Sequence, residues 1–341
     1  MNTKREMAEL LAVKNRILIF PHVHMDGDAL GTGAGLCCAL RKLGKEAYIL
    51  IEDEIGDNLQ FIDDGFCVRI EDGETPDAVF EKYLGKKADL CIMVDCGSPD
   101  RFEKRKEVFF AGEVTGCIDH HGTSKPIADY NFIDAGAAAC AEIMYDVLRE
   151  LEDVTGADII DKQIADALFS GIMTDTGCFV YSNTTIHTHE VAIELMKKGV
   201  DSSAISANIY ESDSFAKIRL NGMAVDAMRV FADGQAAITI VTQDMLKECG
   251  AVMNDAEGVV DTLRSIKGVE IAVFLKELAE NEIKVSMRAK SYANVAVIAS
   301  EFGGGGHIRA AGCTLRMPAE EALKTMISVV TEALGTQTKP E

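Results

Sequence analysis

Between Arg16 and about Tyr181 the chain alternates short, β-rich apolar runs with helical stretches, and this rhythm narrows the fold more than any other feature. Ile17 to Phe20, Ala47 to Ile51, Leu90 to Val94 and Gly116 to Ile118 read as strands. Ala34 to Leu43, Ala137 to Glu150 and Lys162 to Met173 read as helices. Repetition of this kind predicts an α/β domain with a mostly parallel sheet covered on both faces. In such sheets, sites gather at the carboxyl ends of the strands. Chemistry is therefore expected in the residues just after each strand.

Beyond Thr188 the rhythm changes. Strands are expected at Ala236 to Val241, Val269 to Leu275, Ile283 to Met287 and Cys313 to Arg316, with a hairpin around Glu280-Asn281-Glu282. Helices are expected at Glu190 to Lys198, Ser214 to Val230, Ala256 to Ser265, Val295 to Glu301 and Glu320 to Leu334. The pattern predicts a smaller α+β domain with a mixed sheet. The domains are placed at residues 1–187 and 215–335, with a helical connector over 188–214. A chain of 341 residues, 48% of them hydrophobic, can fill two cores.

Composition excludes several function classes. A net charge of −21 repels nucleic-acid phosphates over most of the surface, so a long polymer tracked along a basic groove is not expected. Short anionic substrates are not excluded, because bound cations reverse the local field. No apolar stretch is long enough to span a bilayer, and the start, Met1-Asn2-Thr3-Lys4-Arg5-Glu6, is unlike an export signal. A cytoplasmic protein without a membrane partner is expected. The ten cysteines are diluted over a long chain without a CxxC pair, and read as reduced thiols packed as small hydrophobes.

Four separated segments place Asp or His beside glycine: His22-Val23-His24-Met25-Asp26-Gly27-Asp28, Val94-Asp95-Cys96-Gly97, Ile118-Asp119-His120-His121-Gly122 and Met173-Thr174-Asp175-Thr176-Gly177. Taken singly, Asp26, Asp28 and Asp119 read as ordinary turn or cap residues. Jointly they offer a two-metal site. His22 and Asp26 can face one ion while Asp28 reaches a second, with Asp95 between them and His120 and Asp175 completing the second set. Mixed imidazole and carboxylate ligation suits Mn2+ better than Mg2+, and tetrahedral Cys-rich zinc is disfavoured by the lack of paired cysteines.

These segments, in this order, resemble the motifs of the DHH phosphoesterases. Ser286-Met287-Arg288-Ala289-Lys290-Ser291 and the run Gly303 to Gly312 resemble the C-terminal domain that accompanies DHH domains. Gly171 to Gly177 and Tyr181 to Thr185 are similar to the bifunctional oligoribonuclease and pAp phosphatase branch. The resemblance implies a hydrolase with two Mn2+ ions, for which Mg2+ or Co2+ substitute. It implies that His22, Asp26 and Asp95 hold one ion, and Asp28, Asp95, His120 and Asp175 the other. His121 is then assigned to a phosphate oxygen or to the leaving group, and Asp119 to orienting a histidine. The implied substrates are short RNA oligonucleotides, linear dinucleotides such as pApA, and 3',5'-adenosine bisphosphate (pAp). The oligomeric state is open, a homodimer included.

The glycine run at 303 to 306 lets backbone N–H groups approach an anion, and His307 and Arg309 follow it directly. The plain alternative is a flexible turn before the strand at Cys313. Strand alternation is expected to put Ser286, Arg288 and Lys290 on one face. The resemblance implies that Arg288, Lys290, Gly304, Gly305, Gly306, His307 and Arg309 grip the nucleotide beyond the bond that is cut. A grip shared by two domains would limit substrate length.

Particular residues decide between competing readings. Gly31-x-Gly33-x-Gly35 follows a strand but lacks GxGxxG spacing, so a dinucleotide fold is set aside. His24 is the second histidine of an HxHxD pattern, His22 to Asp26, whose next histidine would stand where Gly27 is, so His24 is not expected as a ligand. His187 and His189 read as surface residues at a helix start. A family II pyrophosphatase and a nucleotide sensor without turnover are the functional alternatives.

Overall fold

In β1 (Arg16–Phe20) four of five residues are buried. Ile17 and Ile19 enter one core, and Leu18 and Phe20 the other. A strand buried on both faces reads as a continuous apolar run, which is why it is legible. The computed structural model describes residues 1–336 and separates into two units, Met1–Ser212 and the residues from Asp213 onward.

The first unit holds six parallel strands: β1, β2 (Glu46–Ile51), β3 (Cys67–Arg69), β4 (Leu90–Val94), β5 (Thr115–Asp119) and β6 (Tyr130–Ile133). Their order is β3-β2-β1-β4-β5-β6. Connections run outward from the β1/β4 pair in both directions, so the switch point of the sheet falls between these two strands, where an open α/β sheet leaves a crevice. The helices are α1 (Lys4–Val13), α2 (Gly27–Lys42), α3 (Pro76–Leu84), α4 (Lys106–Ala111), α5 (Cys140–Thr155), α6 (Lys162–Asp175), α7 (Ile186–Lys197) and α8 (Ser202–Tyr210). One core lies under α1, α2, α5 and α6, and the other is built around Phe20, Phe102 and Phe109. Cys91 and Cys117 are fully buried in that second core, and burial pushes both thiols well above their usual range.

α2 and α6 pack very closely. A Cβ on Gly31 would lie 2.3 Å from the Ala167 carbonyl oxygen, and one on Gly35 would lie 2.8 Å from Leu168 Cδ2. The glycines after β1 thus serve helix contact rather than a dinucleotide. The segment expected as a connector is helical, and Val191, Ala192, Leu195, Ile205 and Ile209 of α7 and α8 join the first core.

The second unit contains α9 (Phe215–Asp226), β7 (Arg229–Phe231), β8 (Ala236–Val241), α10 (Gln243–Cys249), α11 (Val259–Ser265), β9 (Ile271–Ala279), β10 (Glu282–Ala289), α12 (Val295–Glu301), β11 (Gly305–His307), β12 (Ala310–Leu315) and α13 (Ala319–Thr336). The sheet is mixed, in the order β11-β12-β10-β9-β8-β7, with β8 parallel to β9 and the other pairs antiparallel. Two expectations needed correction. The helix expected over Ser214 to Val230 stops at Asp226, and Arg229–Phe231 is instead the strand β7, which a turn with positive φ at Ala232, Asp233 and Gly234 folds back on β8. The glycine run is no free turn: β11 pairs with β12, which starts at Ala310 rather than Cys313.

Candidate metal centre

His22 and Asp95 stand just beyond the carboxyl ends of the two adjacent central strands, β1 and β4. His22 Nε2 lies 3.4 Å from Asp95 Oδ2 and 3.8 Å from Asp26 Oδ2. On the other side of the same carboxylate, His120 Nε2 lies 3.3 Å from Asp95 Oδ1, 3.2 Å from Asp175 Oδ2 and 3.8 Å from Asp28 Oδ2. Asp95 thus faces two separate ligand sets with its two oxygens. His22, Asp26 and Asp95 form one compact group, and Asp28, His120 and Asp175 another. All six residues expected as metal ligands are brought together.

Each element aims its side chain for a local reason. Asp26 caps α2, its Oδ1 accepting the N–H groups of Asp28 and Ala29. Asp28 is fully buried and accepts from Cys140 N at 2.6 Å, Ala141 N at 2.8 Å and Thr32 Oγ1 at 3.2 Å. α5 has no capping side chain of its own at Ala139, so Asp28 caps it from another helix. Asp175 is the last residue of α6, where Asn183 Nδ2 donates to its carbonyl and to that of Ala138, both at 3.0 Å. Asp95 has φ +52 and its N–H donates to Ile118 O at 3.1 Å.

The ring nitrogens are oriented for cations. His22 Nδ1 is 2.7 Å from Val23 O, and His120 Nδ1 is 3.3 Å from Ala137 O. A carbonyl only accepts, so in each ring Nδ1 carries the proton and Nε2 is directed at carboxylates. Burial opposes a charge on His22, but Asp26 and Asp95 outweigh it and raise its pKa to about 10. His120 is likewise raised to about 10, burial being overcome by Asp95, Asp28 and Asp175. Asp175 is pushed up to about 7 by burial and by the charges of Asp26 and Asp95. Asp28 is raised well above its usual range by burial and by Asp95 and Asp175.

A divalent cation in each group fits these residues. Asp95 Oδ1 is buried with no aligned hydrogen-bond donor among the described residues, although His120 Nε2 approaches it. A buried carboxylate oxygen without an aligned donor, beside carboxylates that repel one another, leaves a position that a cation satisfies. All-nitrogen-and-oxygen donors without sulfur match Mn2+ and Mg2+ better than structural zinc.

His121 is half-exposed beside the second group. Its Nδ1 lies 2.8 Å from Asp119 Oδ1 and 3.6 Å from Asp95 Oδ1. Asp119 is fully buried and also hydrogen-bonds Ser124 Oγ through Oδ2. The Asp119 bond raises the His121 pKa against burial and engages Nδ1 rather than Nε2. Three supports of the site, Ser124, Asn183 and the amino terminus of α5, are not singled out by sequence reasoning. Asn183 lies within the Tyr181 to Thr185 motif, but nothing local marks Ser124 or the helix end. His24 is 93% exposed in its side chain and belongs to neither ligand group. His187 Nε2 pairs with Asp146 at 2.9 Å, and His189 stacks on Phe179 with centroids 5.3 Å apart. Both lie in the first turn of α7.

The anion-binding residues expected in the second unit divide. Lys284, Ser286 and Arg288 line a cavity of about 610 Å³ together with Gly303, Gly304 and Gly305. Lys290 lies past the end of β10 and its Nζ donates to Ile266 O at 3.0 Å. Arg309 Nη1 donates to Ala293 O at 2.6 Å, and Gly306, His307 and Arg309 are outside the cavity lining. A Cβ on Gly304 would lie 2.2 Å from Gly312 O, and one on Gly306 2.5 Å from Ala310 O. Close strand pairing therefore demands these glycines whatever else they do.

Residues 16–172 match the DHH family, N-terminal domain, and residues 235–336 match the DHHA1 domain. The bifunctional oligoribonuclease and PAP phosphatase NrnA of Thermus thermophilus is 33% identical over 97% of this chain and 94% of its own length. The protein of the same name from Bacillus subtilis is 27% identical over 92% of this chain and 93% of its own. The crystal structure of an exopolyphosphatase-related protein from Bacteroides fragilis superimposes with a TM-score of 0.85, at 24% identity over 96% of this chain and 95% of that one, a likeness of fold. With two ligand groups meeting at Asp95, and both domain types matched in order, the chain belongs to the DHH family of phosphoesterases and carries a DHHA1 domain.

Proposed function

We propose that this protein is a manganese-dependent cytoplasmic phosphoesterase that hydrolyses short oligoribonucleotides to mononucleotides and removes phosphate from pAp. The observation that carries the reading is the Asp95 carboxylate, with Oδ2 toward His22 and Oδ1 toward His120. The names of the Thermus and Bacillus relatives supply the substrates. His22, Asp26 and Asp95 would hold one ion, and Asp28, Asp95, His120 and Asp175 the other. Divalent ions supply, when bound, Lewis-acid polarisation of the phosphoryl group and acidification of water.

The chain's own groups do the rest. Asp95 sets the spacing of the two ligand groups. Asp119 accepts from His121 Nδ1, which leaves Nε2 to meet a phosphate oxygen or the departing ribose oxygen. Arg288 and the backbone at Gly304 and Gly305 bind a substrate anion in the second unit, with Lys284 as an additional cation on the same face. Lys290, Gly306, His307 and Arg309 take supporting parts around that cavity.

The test compares Mn2+-loaded protein on pAp, a diribonucleotide, longer RNA and pyrophosphate. Release of phosphate from pAp and of mononucleotides from the dimer, with pyrophosphate intact and long RNA slow, is expected. Rapid pyrophosphate hydrolysis would establish the pyrophosphatase alternative instead.

A further inference from the structure

The loop that carries His22 and Asp26 contains an unusual backbone position. His24 has φ +53, the left-handed region, which an L-residue with a Cβ occupies only when its surroundings hold it there. Its imidazole is solvent-exposed, with Nδ1 3.4 Å from Asp53 Oδ2, and anchors nothing deep. The backbone is what is held: His24 N–H donates to Asp53 Oδ2, and the preceding Val23 N–H donates to Arg101 O at 2.8 Å.

Asp53 comes two residues after β2, the strand parallel to β1, and directly follows Glu52, which a buried arginine holds. Arg105 is 0% exposed; its Nη1 donates to Leu50 O at 2.6 Å and its Nε to Glu52 Oε2 at 3.2 Å. The guanidinium also lies over the Phe102 ring, 5.3 Å from the centroid. A wholly buried arginine bound to the end of β2 is an expensive feature to keep for packing alone. Arg105 Nη2 and Asp53 Oδ1 are each buried without a hydrogen-bond partner among the described residues. One is a donor and the other an acceptor, and the Asp53 charge is among those that favour the charged guanidinium.

We infer that Asp53, carried on the end of β2 that the buried Arg105 fixes, is a positioning residue for the first metal group: by holding His24 in the left-handed conformation it directs His22 and Asp26, on either side, at one ion. Asp53 touches neither substrate nor ion in this scheme. The inference rests on the two-ion reading above, and it assigns roles to residues outside the four ligand-bearing segments.

The experiment uses the full chain and Mn2+ alone, with bound metal counted by calorimetric titration and by the EPR signal of free Mn2+. Wild type must first bind two ions; if it binds none, the two-ion reading itself fails. Given two, Asp53→Ala is expected to weaken one ion by about 10-fold or more, as loss of a residue supporting a ligand does, and to leave the other unchanged. His24→Gly is the decisive partner, since glycine adopts positive φ without strain. The double variant D53A/H24G is expected to recover most of the lost affinity. If Asp53 served only to neutralise Arg105, glycine at 24 would rescue nothing. Asp53→Asn, a weaker neutral acceptor, gives the same comparison should D53A not fold, with a smaller loss that H24G also reverses. Unchanged affinity in both Asp53 variants, or a loss that H24G leaves in place, would overturn the inference while the two-ion reading stood.

Discussion

The Asp28 carboxylate of α2 closes the amino terminus of α5, with Cys140 N 2.6 Å from Oδ2 and Ala141 N 2.8 Å from Oδ1. One side chain therefore has a structural and a proposed metal-binding part, and the two can be separated. Asp28→Ala should destabilise the fold by about 1–2 kcal/mol through loss of the cap. The loss should persist in excess chelator, where metal cannot contribute. Thermal melts with and without EDTA check this; a deficit seen only with metal would mean that the cap contributes little.

Asp95→Ala should lower kcat on pAp by at least ~100-fold, because both ligand groups lose the carboxylate they share. The same substitution should abolish the stabilisation that Mn2+ gives the wild type, about 2.7 kcal/mol at a free concentration 100 times the dissociation constant. Turnover and a Mn2+-dependent melting series together measure it.

Arg288→Ala should weaken capture of substrate and leave the metal content unchanged, since Arg288 lies in the second unit and the ligand groups in the first. A raised KM with intact Mn2+ binding is the expected result. Lys284→Ala should act in the same direction and less strongly, as a point charge without the planar fork of arginine.

How much of this is legible in the sequence depends on how local the cause is. β4 is a continuous apolar run and β8 one interrupted only by Thr239, both with limits that match their burial, and α12 has an N-cap in Asn294. The six expected ligands are visible because each sits in a short motif after a strand or at a helix end. Causes spread over the chain are not visible. Nothing near Ala139 shows that α5 is capped by Asp28, more than a hundred residues earlier, and nothing near Arg105 shows that it is buried against Glu52. β11 escapes notice because the glycines before His307 carry no strand signal, and β7 because Val230 extends the apolar helical pattern of the segment before it.

A pH response of the second unit is expected from Glu270. Glu270 is 5% exposed and accepts from Ser291 N at 3.0 Å, Ser291 Oγ at 2.7 Å, Tyr292 N at 2.7 Å and Ala293 N at 2.8 Å. Burial raises its pKa, but these bonds outweigh it and leave it below the usual 4.5. A lowered carboxylate pKa contributes stability above the unfolded value that is lost as pH falls through the folded value. Unfolding of this unit should therefore become easier as pH drops below 4.5. Glu270→Gln should be less stable at pH 7 and show a flatter acid dependence, measured by urea denaturation across pH 3 to 7.

The most direct measurement is anomalous scattering at the manganese edge from crystals grown with saturating Mn2+, supported by elemental analysis of the protein in solution. Two peaks flanking the Asp95 carboxylate, one beside His22 and one beside His120, at two ions per chain, are the expected result. No peak at Asp95 under those conditions would contradict the two-ion centre and the hydrolytic chemistry assigned to it.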